Sequence, residues 1–181
     1  MKNAVRLALA LCALALATPA AAQQAPPQAR PQIGFGISIV PLEVAGQVPT
    51  VEVYLPIRIA PQFRVEPSLG IFSRDQAGTL PDTRDVTLGI GGFWMAPVAA
   101  QVDLYAGGRL KLNFAHESSP AGSTSDTDVS IAAALGGEYY LVPHFSLGLE
   151  GQLGYYSHGT VNGDDSGFFT TGVAFLRLYF K

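Results

Sequence analysis

Charge is scarce in this 181-residue chain: Asp, Glu, Lys and Arg make up 14%, against roughly 25% in an average soluble domain. A basic excess is also missing, since the formal net charge is −3; this excludes the electropositive footprint of a nucleic-acid binder. The only cysteine is Cys12, so no intramolecular disulfide is available. No apolar run is long enough for a membrane helix; the run at 7–17 has eleven residues, and about 17–25 are needed. Low hydrophobicity, the mark of disorder, is absent too, because 48% of the residues are hydrophobic. Twenty Gly and thirteen Pro disfavour a helical fold. The length fits one domain. What is present is an apolar excess with few charges to solubilise it.

Part of that excess lies in residues 1–22. Lys2 and Arg6 precede the eleven-residue apolar run, and Ala20, Ala21 and Ala22 supply a small-residue cleavage site. The pattern predicts a secretory signal peptide. Its removal would take Cys12 with it and leave nine basic against fourteen acidic residues, net −5. Residues 23–32 read as an exposed Pro/Gln-rich tail. Residues 33–181 form the folded domain.

From Ile33 onward the apolar residues recur at every second position, the strand period. Eight strands are expected, near 33–39, 51–59, 63–71, 86–94, 102–114, 129–141, 145–155 and 168–180. The connections alternate. Those at 60–62, 97–100 and 142–144 are tight and hold Pro61, Pro97 and Pro143; those at 41–49, 74–84, 116–127 and 158–166 are long and rich in Gly, Ser, Asp and Pro. An up-and-down meander puts all short turns and both termini on one side, the asymmetry of outer-membrane barrels. Pro56 and Pro67 fall inside the second and third strands, where each removes a ladder donor; a bulge on that hairpin is expected.

Three features set the apolar face outward. No apolar-face position is charged in any strand. The other face carries Gly, Ala and Ser with only ten charges: Glu52, Arg58, Arg64, Glu66, Asp103, Arg109, Lys111, Glu138, Glu150 and Arg177. A water-facing surface would be about 25–35% charged; five acids against five bases suit a paired network in a narrow lumen. Finally, aromatics of the apolar face gather at strand ends. Phe63, Trp94, Tyr139, Phe145 and Phe180 lie at the short-turn end, and Phe114, Tyr155 and Phe168 at the loop end, as in the two interfacial girdles of a membrane barrel. The expected fold is all-β: an eight-stranded antiparallel up-and-down transmembrane β-barrel.

With these features the chain resembles the small eight-stranded outer-membrane barrels of Gram-negative bacteria, the OmpA/OmpX type. The closing segment GVAFLRLYF at 172–180, with Leu176, Leu178 and Phe180, is similar to the terminal strand of that family, although Lys181 follows the Phe. The resemblance implies export, residence in the outer membrane among lipid and lipopolysaccharide, and recognition of the last strand by the barrel-insertion machinery.

Function is less legible. An eight-stranded barrel is just wide enough for side chains to fill it, so a plugged polar lumen with a structural or surface-interaction role is expected, with a narrow ion path as the alternative. The long loops lack the Trp, Tyr and Arg clusters of a tight protein interface. No metal site or cofactor is expected: His144 sits opposite His116 and His158, whose neighbours Glu117, Asp126, Asp164 and Asp165 show no diagnostic ligand spacing. An enzymatic alternative comes from barrels that deacylate lipid A with a His-x-Ser pair and a carboxylate. His116 and Ser118 match the pair, with Asp126 or Asp128 as the carboxylate. That family carries its pair near the C-terminus, where this chain has His158-Gly159-Thr160.

Overall fold

The computed structural model describes residues 33–41, 51–74, 81–119, 122–162 and 165–180. The expected signal peptide and tail, the loop at 41–49 beyond Pro41, and Lys181 lie outside them. Among the described residues nine strands occur: β1 (Ile33–Pro41), β2 (Glu52–Tyr54), β3 (Ile57–Ala60), β4 (Phe63–Arg74), β5 (Asp82–Ala99), β6 (Val102–Ser119), β7 (Gly122–Val142), β8 (Phe145–Ser157) and β9 (Ser166–Phe180). Every pairing is antiparallel, each stave bonds to the next, and β1 pairs with β9 from Ile33↔Phe180 to Pro41↔Val173. The sheet is therefore closed and has no lateral edge along the wall, as backbone in lipid requires.

β2 and β3 are two halves of one stave, so the barrel has eight staves. The halves keep one register against β1, with Gly36↔Tyr54 and Ile33↔Ile57, and one against β4, with Tyr54↔Ser68 and Ile57↔Val65. The prolines therefore do not make the expected bulge. They remove donors instead. Pro56 accepts from the Gly34 amide and Pro67 from the Leu55 amide, each at 2.9 Å; neither ring nitrogen returns a bond. The register shift on this hairpin falls between Arg58 and Ala60, at Ile59.

The alternation places its two faces as the strand period dictates. Glu66, Asp103 and Glu138 are fully buried in the lumen, whereas Leu135, Leu149 and Ile131 stand exposed on the outer wall. From Phe145 to Tyr155 on β8, ten steps of ~3.3 Å tilted by ~40° give a band ~25 Å tall, the apolar height of outer-membrane barrels.

Two expectations need correction. Residues 116–119 and 122–127, expected as loop, are strand, and the strands exceed the period-two segments. β6 and β7 stay paired as far as Ser119↔Gly122, through His116↔Ser125 and Ser118↔Ser123, so this hairpin projects beyond the apolar band as sheet. Its Ser, Thr and Asp residues no longer alternate with apolar ones because both faces there meet water, and the period-two signal disappears. Gly122 closes the hairpin with φ +147°, a conformation that L-residues with a Cβ rarely adopt. The short turns are tighter than expected, with Pro61-Gln62, Ala100-Gln101 and Pro143-His144 between the paired ends.

Candidate functional site

The lumen is the candidate site. All ten sequence-predicted lumen charges are brought into ion pairs with one another. At the short-turn end Arg58 Nη2 lies 3.0 Å from Asp103 Oδ2, which also accepts from the Tyr140 hydroxyl. Above it Arg64, Glu66, Arg177 and Glu138 alternate in sign around a square. Arg64 and Arg177 lie 2.6 and 2.9 Å from Glu138 Oε2, and both lie 2.7 Å from Glu66 Oε1, at ion-pair distance but off the hydrogen-bond line. Glu138 Oε1 accepts from the Ser146 and Tyr179 hydroxyls, each at 2.5 Å. Arg109 then links Glu66 at 2.8 Å to Glu150 at 2.6 Å, and Glu150 also accepts from Tyr105 and Gln152. Lys111 pairs with Glu52, which Tyr54 also approaches.

The column continues outward through the uncharged Thr87 and Asn113 to Asp128. Thr87 donates to Asn113, and Asn113 donates to Asp128, each at 2.9 Å. There it meets the β8–β9 connection. The Gly159 amide donates to Asp128 at 2.8 Å, and the Thr160 amide and hydroxyl donate to Asp126 Oδ2 at 2.7 and 3.0 Å. A 3-10 turn, Thr160–Asn162, is thereby tied to β7 at the outer mouth. A ring of His158 and Asp165 steadies the segment through their 2.9 Å side-chain contact and a 2.8 Å backbone bond, with Tyr156 stacked on His158 at 4.4 Å.

Asp126 lies just outside the outer aromatic ring. The Thr160 amide first, then the Thr127 amide and the Thr160 hydroxyl, hold its carboxyl below the ordinary carboxylate range. A lowered folded-state value means that the tie is complete above the ordinary carboxyl pKa and is lost as pH falls through the lowered one. The protection of the Thr160 amide, its exchange rate relative to the intrinsic rate at each pH, should therefore fall on acidification, and Asp126→Asn should abolish that fall. Protection that stays constant in the wild type as the pH falls contradicts the tie.

The aromatic half of the lumen was not among the expected site residues. Phe93, Met95, Tyr105, Ala134 and Phe175 form an apolar cluster inside the barrel. The guanidiniums lie on these rings: Arg177 is 3.7 Å from the Phe175 centroid, Arg109 4.7 Å from Phe93 and Arg64 4.8 Å from Tyr105. Cation–π contact favours such desolvated cations. The rings fit because lumen-facing glycines leave room. A Cβ on Gly136 would sit 2.4 Å from Tyr105, and one on Gly148 2.2 Å from Phe175 and 2.4 Å from the Gly137 carbonyl. The signal in the sequence is Tyr and Phe on the glycine-rich parity, but only the register shows which glycine faces which ring. Gly148→Ala is expected to cost about 1–3 kcal/mol by overpacking. Gly151→Ala, whose Cβ would find its nearest atom at 3.9 Å, should change stability by under about 0.5 kcal/mol. Urea unfolding of both variants checks this, and equal losses contradict it.

The eight girdle residues all point outward. Phe63 pairs with Trp94, Tyr139 with Val102 and Leu147, Phe145 with Leu178, and Phe180 with Ile33. At the other end Phe114 is opposite Val86, and Tyr155 meets Phe168 edge-on at 5.4 Å. The catalytic alternative does not assemble. His116 Nδ1 contacts Ser125 Oγ at 2.8 Å on the outer face; Ser118 sits opposite Ser123; Asp128 is buried on the lumen side of the same wall. Among the described residues no three His, Cys, Asp or Glu side chains converge as metal ligands.

A closed eight-stave wall, apolar outside and ion-paired inside, defines a small transmembrane β-barrel of the outer-membrane kind. The family model of the outer membrane protein beta-barrel domain matches residues 8–175, and the chain belongs to that family. It resides in the cell outer membrane, in contact with membrane lipid. Neisserial surface protein A has a similar structure, with a TM-score of 0.55 at 18% identity over 82% of this chain and 95% of that one. OprH of Pseudomonas aeruginosa gives a TM-score of 0.55 at 13% identity, over 84% and 100%. The attachment invasion locus protein Ail of Yersinia pestis, solved with the heparin analogue sucrose octasulfate, gives 0.53 at 15%, over 82% and 94%. No curated protein matches the chain.

Proposed function

We propose that this barrel is a non-conducting structural and surface protein of the outer membrane, without an enzymatic role. The observation that carries the reading is that each of the ten lumen charges is ion-paired across the barrel. An ion entering this column would have to displace a buried counter-ion, and a buried charge left without its partner costs several kcal/mol. The tie of the 3-10 turn to Asp126 and Asp128 adds an outer cap. The projecting β6–β7 hairpin is the part offered to lipopolysaccharide and to surface partners. Residues 1–22 direct export, residues 23–32 form a tail after cleavage, and the Leu176, Leu178 and Phe180 strand is the element read by the insertion machinery.

The test is conductance. The folded protein in a planar bilayer should give no discrete channel steps. Regular, ion-selective steps from the wild type would overturn the plug and establish the narrow ion path.

A further inference from the structure

The three short turns repeat one design that their role as connections does not require. Each hairpin carries a one-residue bulge just before its turn. Arg58↔Arg64 is followed by Ala60↔Phe63, Pro97↔Asp103 by Ala99↔Val102, and Tyr140↔Ser146 by Val142↔Phe145. The extra residues are Ile59, Val98 and Leu141, exposed by 62%, 44% and 46%. Cross-strand partners share a face, so Ala60, Ala99 and Val142 follow outward-facing Phe63, Val102 and Phe145. Each bulge thus turns two consecutive aliphatic residues outward, where a regular strand would show one, at the expense of a ladder pairing.

The turn segments of this rim carry no charged residue of their own, and the one guanidinium that reaches them, Arg58 donating to the Pro61 carbonyl, comes from the lumen side. Residues 59–63, 98–102 and 141–145 contain no Asp, Glu, Lys or Arg. Two-residue hairpins exposed to water favour Asn-Gly or Asp-Gly; here the turns are Pro-Gln, Ala-Gln and Pro-His. One carbonyl of each turn is satisfied by a backbone amide of the protein. The carbonyls of Gln62, Gln101 and His144 accept from the Met95, Tyr140 and Tyr179 amides, each at 2.8 Å. The opposite rim carries Arg74, Asp82, Arg84, Glu117 and Asp126. Doubled outward aliphatics, absent charge and satisfied turn carbonyls suit an apolar surrounding, and the rim runs without a break into the lipid-facing wall.

We propose that the short-turn rim is sunk into the inner leaflet, with Ile59–Ala60, Val98–Ala99 and Leu141–Val142 lying against phospholipid beneath the headgroups. Residues 23–181 lack cysteine, so single cysteines report on this directly. Val98→Cys, Val142→Cys and, on the outer hairpin, Ser123→Cys would be folded into phosphatidylcholine nanodiscs holding one barrel each, with both rims open to buffer. Heat-modifiable gel migration confirms that each variant is folded. A water-soluble maleimide should label positions 98 and 142 at least about tenfold more slowly than position 123. A fluorophore attached there after detergent labelling should be quenched by nitroxide lipids. Labelling as fast as at Ser123 would overturn the proposal. Slow labelling without lipid quenching would overturn it as well, because the positions would then be shielded by protein and not by lipid.

Discussion

Replacing Glu138 with Ala is expected to lower barrel stability by about 3–5 kcal/mol, the cost of stranding buried charge. Glu138 takes contacts from Arg64, Arg177, Ser146 and Tyr179. Neither guanidinium can deprotonate to escape the low dielectric, and neither is near water, since both side chains are 1% exposed. Without Glu138 the two cations would share Glu66, which already pairs with Arg109. The variant should also unfold in less urea from lipid vesicles, whereas Ser123→Ala on the exposed hairpin should stay within about 0.5 kcal/mol of wild type. A loss at Glu138 below about 1 kcal/mol would mean that water reaches the square.

Leu149→Arg should cost about 2–4 kcal/mol, the penalty for a cation at mid-bilayer depth on a barrel exterior. Leu149 lies midway between Phe145 and Tyr155 and is 69% exposed. Were that surface wetted, an exposed Leu→Arg change would be neutral within about 0.5 kcal/mol. The same substitution therefore has different outcomes in the two solvents. Vesicle unfolding gives the number, and a neutral result would place this face in water.

Which face points outward was readable in the sequence because the strand period is two and the ten charges keep one parity in each of the six staves that carry them. The partners of those charges were not readable. That Arg109 bridges Glu66 and Glu150 depends on the closed ring, which brings residues from three non-adjacent staves to one height. The lumen aromatics were visible as Tyr54, Tyr105, Phe175 and Tyr179 on the polar parity, but their fit needs the facing glycines. The β6–β7 hairpin escaped detection because its strands leave the membrane at His116 and lose the apolar half of their alternation. The bulges at Ile59, Val98 and Leu141 hid for a related reason: a run of consecutive apolar residues at a turn does not say which of them is the inserted one. Pro56 and Pro67 pointed to a bulge where the structure keeps one register, since a missing donor weakens a ladder without shifting it.

The most direct test of an inside-out barrel is gel migration of the cell's outer-membrane fraction with and without heating. The account predicts that the protein is found in that fraction and runs at two positions: a compact band unheated, and a slower or faster band once heat opens the closed wall. A protein found free in the periplasm, with one mobility in both samples, would contradict it.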